Sequence, residues 1–530
     1  MKISNKKRTL LILIAIVMIS SVWLLNKGIT YEHDIAFHYN RLIGLTEAIK
    51  SGDIFAYIHN SFHGYGYATG LFYSNFFFYI PAIISTLGIN YVASIKILYF
   101  IINISTVISI YFCTKSITNN NKSSLIVTVL YMFSNYRIID IFVRGAIGEM
   151  LSFMIIPLVI LGLYEIIYRD YKKWYLFTLG FVLLLFAHLI TTVFVAFFSL
   201  IIILVNYKKF LEEKDRIKYL IISGIVGLLL SSSFILPMLE QIKASNVSVF
   251  VNKGYYNLSE EAVNLFNFII PTDFFNKYLG YSLILILPIR FYIKKKNTDI
   301  LKFADILYIL GIISWISTTC LFPWDILNNQ LKFVQFPWRL LIITTSFLCM
   351  SYSIYFKILI DEDKKKLLTY SYVVILIISL LTITVYSIKY GFREIHFTNF
   401  EENQIGGAEY LLAETEYGLI DRSEEPPYTT NDPEIIIDYT KIGKTVVINY
   451  KNNNNKDTFI EVPLFNYLGY KVKGADLEMG FNGLIRLTNL KKEGNIKVYY
   501  TGTNIQKISN IIYTLSFVGI VVYIIIERKR

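Results

Sequence analysis

The fold class is decided by long apolar runs, of which the first is Thr9-Leu-Leu-Ile-Leu-Ile-Ala-Ile-Val-Met-Ile-Ser-Ser-Val-Trp-Leu-Leu25. The stretch before this run, from Lys2 to Arg8, contains four basic residues. A helix needs about 20 mostly apolar residues to cross a bilayer, and Lys and Arg beside a span stay in the cytoplasm. No small-residue cleavage site follows, so we expect an uncleaved first transmembrane helix with a cytoplasmic start.

The composition extends this interpretation to most of the 530 residues. Hydrophobic residues make up 54% of the chain and charged residues 17%, whereas soluble domains carry about 25% charged residues. The net charge of +12 comes from Lys and Arg in short loops between apolar blocks, so it indicates membrane topology rather than nucleic-acid binding. Cys113, Cys320 and Cys349 form no close pair, and they predict neither a disulfide framework nor a metal site.

The apolar blocks predict a polytopic all-α bundle of about 12 transmembrane helices in the plasma membrane, with both termini in the cytoplasm. Clear spans are expected at 9–25, 147–167, 218–237, 279–293, 301–317, 339–358, 367–388 and 507–526. The block 174–206 is too long for one span and predicts a helical hairpin that turns near His188. Basic loops at 168–173, 208–218, 290–296, 361–366 and 527–530 are expected inside, which places 26–70, 136–146, 238–278, 318–338 and 389–505 outside.

One topological question stays open. The loops 26–70 and 136–146 are both expected outside, but three apolar segments lie between them, at 71–89, 91–112 and 123–135. Only an even number of segments can cross. One segment must therefore be a half-length or interfacial helix, and the sequence does not identify which.

Residues 389–505 have a different character and predict a small extracytoplasmic β-rich domain. Alternating stretches at 434–439, 445–450 and 496–500 predict strands, and turn residues such as Glu425-Pro-Pro427 and Asp432-Pro433 separate the segments. The run Asn452–Asn455 predicts a hairpin tip. The domain organisation is thus a transmembrane module at 1–388, the β-rich domain, and a C-terminal anchor at 506–530 with a basic cytoplasmic tail.

The first outer loop carries residues that could perform chemistry. A helix through Tyr31-Glu-His-Asp-Ile-Ala-Phe-His-Tyr-Asn-Arg41 would place Asp34, His38 and Arg41 on one face. A carboxylate can accept a proton from a hydroxyl group, and a guanidinium can bind a phosphate through paired donors. The alternative is a solvated loop with ordinary polar residues, and the residues alone do not separate the two.

The second outer loop reads Tyr136-Arg-Ile-Ile-Asp-Ile-Phe-Val-Arg-Gly-Ala-Ile-Gly-Glu149. Its spacing predicts that Arg137, Asp140 and Arg144 share a helical face. Glu149 enters an apolar span, where a charge is costly and tends to be functional. This position favours a functional site over a simple Asp140–Arg144 pair that stabilises a helix end.

Other polar residues carry weaker signals. His59-x3-His63 has the spacing of metal ligands but lacks a third ligand, and no Walker or dinucleotide motif is present. His188 is interpreted as a packing residue, and Asp273 lies at the outer end of a span. Arg339 also lies at an outer end, where it could reach lipid phosphates.

The ordered motifs resemble the GT-C superfamily of polytopic membrane glycosyltransferases. The resemblance is carried by Asp34-x3-His38-x2-Arg41, Tyr136–Glu149, Ala187-His-Leu-Ile-Thr191, Gln335-Phe-Pro-Trp-Arg339, Gly407-Ala-Glu-Tyr-Leu411, Val462-Pro-Leu-Phe-Asn-Tyr-Leu-Gly-Tyr470 and Asn482-Gly483. Within that superfamily the chain is similar to bacterial membrane proteins labelled "6-pyruvoyl-tetrahydropterin synthase-related" and to those of the lipoteichoic-acid glycosylation type. It departs from their pattern at Leu411-Leu412, where Leu-Pro is usual.

This resemblance implies a sugar transfer on the extracytoplasmic face, from a polyprenyl-phosphate donor to a cell-envelope glycan or polymer. It implies that Asp34 is the catalytic base. It also implies that Asp140 or Glu149 is a second acidic position that places substrate or metal. The expected partners are the lipid-linked donor, the glycan acceptor and membrane lipid, without nucleic acid. No cofactor is assigned, and a divalent metal is compatible with this chemistry but not required by the sequence.

The basic residues complete the expected site. Arg41, Arg137 or Arg144 would bind the phosphate of the donor and stabilise its developing charge. His38 would orient Asp34 or donate a hydrogen bond to the phosphate.

Two other functions share the same outline. A transporter or flippase for lipid-linked glycans would also have many spans, but transporter sites usually lie near the bilayer midplane between broken helices. A non-catalytic scaffold for envelope assembly would use the β-rich domain and need none of the acidic loop residues. The concentration of charges in the outer loops favours an enzyme.

Overall fold

The computed structural model describes residues 4–29, 33–251, 257–265, 278–294, 298–391, 408–416, 418, 420–421, 423, 427–453 and 457–529. Several residues of the sequence-based predictions lie outside the described residues. They are Tyr31, Glu32, Asp273, Gly407, Glu425, Pro426 and the second half of the Asn452–Asn455 run.

The described residues form 21 α-helices and eight strands. The helices are α1 Asn5–Ser21, α2 Ile35–Lys50, α3 Thr69–Phe72, α4 Tyr79–Thr86, α5 Tyr91–Thr118, α6 Asn121–Met132, α7 Asn135–Ile139, α8 Ile147–Tyr168, α9 Trp174–Ala187, α10 Leu189–Val205, α11 Tyr207–Glu212, α12 Asp215–Leu230, α13 Ser232–Ala244, α14 Ser248–Val251, α15 Leu258–Glu261, α16 Tyr281–Ile284, α17 Asp299–Ile316, α18 Trp324–Leu331, α19 Leu341–Asp361, α20 Lys365–Tyr386 and α21 Asn504–Lys529. The strands are β1 Thr429–Thr430, β2 Ile436–Ile442, β3 Thr445–Lys451, β4 Ile460–Phe465, β5 Tyr470–Lys473, β6 Asp476–Met479, β7 Leu484–Thr488 and β8 Glu493–Tyr500.

Six of the described helical segments are long and apolar enough to cross a membrane, which supports a multi-pass membrane protein. They are Asn5–Leu25, Tyr91–Thr118, Ile147–Tyr168, Pro337–Asp361, Lys365–Gly391 and Asn504–Glu527. Two bent pairs, α6 with Asn135–Arg144 and α12 with α13, raise the number to eight if each pair is one span. The predicted total of twelve is not confirmed. The segment at 279–293 is a short broken helix, and α17 carries three charged residues in its first two turns.

The segment 71–89 contains no continuous helix long enough to cross a membrane. It is divided into α3, a 3-10 turn at Phe76–Phe78, and α4. Its longest continuous part, Phe76–Thr86, is about 16 Å long, about half the thickness of a hydrocarbon core. By contrast, α5 is long enough to cross, and α6 continues through a 43° bend into Asn135–Arg144.

One end of the bundle gathers the loops that the sequence predicts to be cytoplasmic. The Arg216 guanidinium donates to the Ile166 carbonyl oxygen at 2.6 Å, and the Tyr523 hydroxyl donates to the Lys172 carbonyl oxygen at 3.3 Å. The Lys209 ammonium lies 2.8 Å from the Asp299 carboxylate. The loops 168–173 and 208–218 and the end of α21 therefore lie together, as the expected topology requires.

The predicted β-rich domain is confirmed as two antiparallel four-stranded sheets, ordered β1-β4-β7-β6 and β2-β3-β8-β5. Alternating residues of the paired strands β3 and β8, Val446, Ile448, Ile496 and Val498, are buried in an apolar core to which both sheets contribute. The apolar core of this domain continues into the first outer loop, where the Phe62 and Phe465 rings lie 5.8 Å apart.

The predicted hairpin tip at Asn452–Asn455 is wrong. The strands on either side of this run, β3 and β4, belong to different sheets, so the run connects the two sheets. The hairpin turn lies instead at Gly443-Lys444, between Ile442 and its cross-strand partner Thr445. Gly443 has φ +55°, which suits the tight turns that join adjacent antiparallel strands.

Labelling of single cysteines tests the two ends of the bundle. In a Cys320→Ser background, which removes the exposed thiol, we compare Lys172→Cys, Lys214→Cys and Lys492→Cys, all at exposed positions. A membrane-impermeant maleimide should label Lys492→Cys in intact cells. It should label Lys172→Cys and Lys214→Cys only after permeabilisation. Labelling of either of the last two in intact cells would contradict the topology.

Candidate functional site

The first outer loop joins the second through Asp34. Asp34 is the N-cap residue of α2, and its backbone N–H donates to the Arg144 carbonyl oxygen at 2.8 Å. Its carboxylate makes no capping hydrogen bond and is partly exposed. Of the two alternatives for this segment, the structure shows the helix, and its start lies against the second loop.

The second loop is shaped by a wide turn. After α7, the chain forms a π-helical turn at Asp140–Arg144, and Gly145 follows with φ +60°. Turns of this kind often mark functional sites. Gly145, in the left-handed conformation, ends this turn before α8 begins at Ile147. Glu149, in the first turn of α8, contacts the Arg144 side chain.

Five buried side chains form what we call the Arg144 cluster: Tyr136, Asp140, Arg144, Glu149 and Arg339. The Arg144 Nη1 atom lies 2.6 Å from Asp140 Oδ1 and 2.8 Å from Glu149 Oε1. The Arg339 Nε atom lies 3.2 Å from the same Glu149 oxygen. Two carboxylates thus face two guanidinium groups, which offsets the large desolvation cost of burying each charge alone.

Tyr136 completes the cluster. Its hydroxyl donates to Glu149 Oε2 at 2.6 Å and accepts from Arg144 Nη1 at 3.2 Å. The Trp338 ring covers the Arg144 guanidinium at 4.6 Å. Trp338 and Arg339 therefore contact two different members of the cluster, Arg144 and Glu149.

His38 and Arg41 lie on the next turns of α2 and make a separate group. The Arg41 guanidinium lies between the Tyr73 and Phe78 rings, at 4.4 and 4.0 Å, and donates to the Ser74 and Tyr73 carbonyl oxygens. Burial lowers the pKa of Arg41 to about 10, so it stays cationic at neutral pH. Burial and the Arg41 charge hold the pKa of His38 well below its usual value. The described contacts of Arg41 fix the segment around Tyr73.

Tyr73 connects this group to the Arg144 cluster. A Cβ atom on Gly148 would lie 2.0 Å from the Tyr73 hydroxyl and 3.1 Å from His188 Cδ2. Burial raises the pKa of Tyr73 to about 12, so the hydroxyl keeps its proton. His188 lies at the break between α9 and α10, with Nδ1 2.8 Å from Thr191 Oγ1. The missing side chain of Gly148 thus makes room for Tyr73 one residue before Glu149.

Arg137 does not join the cluster. Its guanidinium is fully buried and donates to the Met132 carbonyl oxygen at 2.9 Å and to Asn103 Oδ1 at 2.5 Å. The expectation of one shared helical face therefore holds for Asp140 and Arg144 but not for Arg137, because α7 is short and the chain then widens into the π-helical turn.

The sequence-based reasoning missed the roles of three residues. Tyr73 and Tyr136 were not assigned to the site, and Arg339 was interpreted as a lipid anchor. The Gln335-Phe-Pro-Trp-Arg339 motif was a usable signal, because it places an arginine and a tryptophan together at the start of a span. Among the described residues, no group of three or more His, Cys, Asp and Glu side chains could hold a metal ion.

Comparisons with known proteins give distant similarities. No family model matches the chain. An uncharacterized protein of Lactococcus lactis subsp. cremoris is 26% identical over 243 residues, which cover 43% of this chain and 37% of the relative. Two cryo-EM structures of the arabinofuranosyltransferase AftD from mycobacteria superpose with TM-scores of 0.46 and 0.43 at 12% identity. They match 75% and 74% of this chain, which spans only 29% and 27% of their length.

Gly148→Ala tests the close approach of Tyr73. The added methyl group meets the Tyr73 hydroxyl and the Ala187 carbonyl oxygen, so we expect a loss of about 1–3 kcal/mol in the free energy of unfolding. The melting temperature of the purified protein in detergent measures this effect. Addition of Tyr73→Phe should restore part of the loss.

The matched control is Gly224→Ala in α12, where an added Cβ meets nothing within 4 Å. Its melting temperature should stay unchanged or rise, because Ala is the better helix former. Equal destabilisation by the two Gly→Ala variants would contradict the proposed contact.

Proposed function

We propose that this protein is a membrane glycosyltransferase that moves a sugar from a polyprenyl-phosphate donor to a hydroxyl group of a cell-envelope glycan. The observation that carries the proposal is the hydrogen bond of 2.8 Å between the Asp34 amide nitrogen and the Arg144 carbonyl oxygen. Asp34 is partly exposed, and Arg144 belongs to the buried cluster that also contains Arg339. The GT-C resemblance of the motifs agrees with this arrangement.

Asp34 is proposed as the general base. The acceptor hydroxyl gives its proton to the Asp34 carboxylate, and its oxygen attacks the anomeric carbon of the donor sugar. The bond between that carbon and the phosphate oxygen breaks, and polyprenyl phosphate leaves with the electron pair. A direct displacement of this kind inverts the configuration at the anomeric carbon.

Two arginines of the Arg144 cluster are proposed to stabilise the leaving phosphate. Fixed cationic donors are most effective where negative charge develops in a site with little water. Arg339 is the most exposed member of the cluster, so we assign it the direct contact with the phosphate. Arg144 is held by Asp140 and Glu149 and supplies the second positive charge.

The remaining predicted residues receive positioning roles. Arg41 and His38 hold Tyr73, which lies against α8 next to Glu149. The β-rich domain reaches the same region, since the Tyr410 amide donates to the Tyr67 hydroxyl at 3.2 Å and the Tyr410 ring lies 6.4 Å from Phe37. We infer that this domain positions the acceptor glycan.

A transporter of lipid-linked glycans is the second candidate, and one observation favours it. Arg137 is a fully buried charge beside the break between α6 and α7. Buried charges at broken helices are typical of transport sites near the bilayer midplane. The two candidates differ in whether a glycosidic bond is formed.

Asp34→Asn separates the two functions. The substitution removes the proposed base without removing a capping hydrogen bond, so the melting temperature should not change. We expect incorporation of the sugar into envelope polymers, measured by sugar analysis of cells with the variant as their sole copy, to fall by about 10²–10⁴-fold.

The matched control is Asp325→Asn, at an exposed carboxylate in another segment predicted to lie outside. It should leave incorporation unchanged. Normal incorporation by a normally expressed Asp34→Asn protein would contradict the base assignment. Two results together would favour the transporter. The unsubstituted protein would form no glycosidic bond, and cells with the Arg137→Met variant would lose lipid-linked sugar from the outer leaflet of the membrane.

A further inference from the structure

A cleft of about 1000 Å³ lies at the far end of α2 from Asp34. The 16 residues of α2 separate the two places by about 24 Å. Four parts of the chain line the cleft: the loop that follows α2, the turn between β2 and β3, the end of β8 with the two residues after it, and the first turns of α21. The cleft thus joins the first outer loop, the β-rich domain and the last transmembrane helix.

The wall formed by α21 changes from polar to apolar along the cleft. Gln506, Lys507 and Asn510 line one part of it, and Ile511 and Leu515 line the next. Ile511 and Leu515 are 60% and 68% exposed, as side chains that face lipid are. The start of a membrane span is where polar groups meet the head-group region. We therefore expect the cleft to lie across the boundary between water and hydrocarbon.

The charges of the cleft favour an anion. Lys444 and Lys507 are the cationic residues of its lining, and Asp53 is the acidic one. The Lys444 ammonium contacts the Asp53 carboxylate, donates to the Ile58 carbonyl oxygen at 3.1 Å and lies 5.0 Å from the Tyr500 ring. Lys507 is exposed. The lining has a surplus of one positive charge.

The backbone leaves the polar part of the cleft open. Gly52 and Gly443 both have positive φ, at +83° and +55°, and an added Cβ on either would meet nothing within 4 Å. Phe55, which is 55% exposed, stacks on Tyr57 with ring centroids 6.4 Å apart. The cleft thus offers an open polar end and an aromatic and aliphatic wall.

We propose that this cleft binds one anionic phospholipid. Its phosphate lies between Lys444 and Lys507, and its acyl chains lie along Ile511 and Leu515. The bound lipid bridges the β-rich domain and α21, so it stabilises the docking of that domain on the membrane module. The site is separate from the Asp34 region, and the proposal does not depend on the proposed transfer reaction.

The full-length protein in nanodiscs tests this proposal. Melting temperature is measured in phosphatidylcholine discs with increasing fractions of phosphatidylglycerol, and native mass spectrometry counts retained phosphatidylglycerol. We expect the melting temperature to rise with phosphatidylglycerol and one lipid to be retained. Lys507→Gln should raise the half-saturating fraction by about fivefold, since one basic residue near an anionic surface contributes about that factor.

Lys492→Gln, an exposed lysine elsewhere in the β-rich domain, is the matched control and should behave as the unsubstituted protein does. Leu515→Ser is a second variant that keeps the charge but shortens the apolar wall, and it should also weaken retention. Inorganic phosphate should not raise the melting temperature. An equal rise with inorganic phosphate would show that the cleft binds a free anion, and it would contradict the lipid proposal. Equal responses of Lys507→Gln and Lys492→Gln would overturn the proposal.

Discussion

The ion pairs of Arg144 with Asp140 and Glu149 are the interaction on which the site depends. All three side chains are buried, and a buried charge without a partner would cost several kcal/mol. Arg144 Nη1 contacts both carboxylates, and the Arg144 carbonyl oxygen holds the amide of Asp34. One residue therefore links α8, the π-helical turn and the first outer loop. The cluster also explains why Glu149 is tolerated at the start of an apolar span.

Much of the fold could be predicted from local pattern. Apolar length identified the long helices, and period-two alternation identified β2, β3 and β8, because both signals depend on near neighbours in the chain. The sequence does not distinguish the segment 71–89 from the two apolar segments that follow it, since the break at Tyr73 and Ser74 involves hydrogen bonds from Arg41, a residue far away in sequence. The prediction of a hairpin tip at Asn452–Asn455 is wrong because the choice of pairing partners for β3 and β4 depends on residues far away in sequence.

The site was predictable where residues are close in sequence. The spacing of Asp140 and Arg144 allows an ion pair, and the cost of a charge in an apolar span identifies Glu149 as a candidate functional residue. Arg339 and Tyr73 reach the cluster from other segments, and nothing local indicates their partners. Arg137 shows the opposite error. Its spacing predicts a place on the same helical face as Asp140 and Arg144. In the structure the Arg137 guanidinium instead donates to Asn103 of α5 and to the Met132 carbonyl oxygen.

A double-mutant cycle on Arg144 and Glu149 tests this central link most directly. The melting temperatures of Arg144→Ala, Glu149→Ala and the double variant give a coupling free energy. The partly exposed pair Lys357 and Asp361 of α19, 2.7 Å apart, serves as the reference. The account predicts a coupling of about 1–3 kcal/mol for Arg144 and Glu149, against about 0.3–0.5 kcal/mol for the reference pair. Additive effects of Arg144→Ala and Glu149→Ala would contradict it.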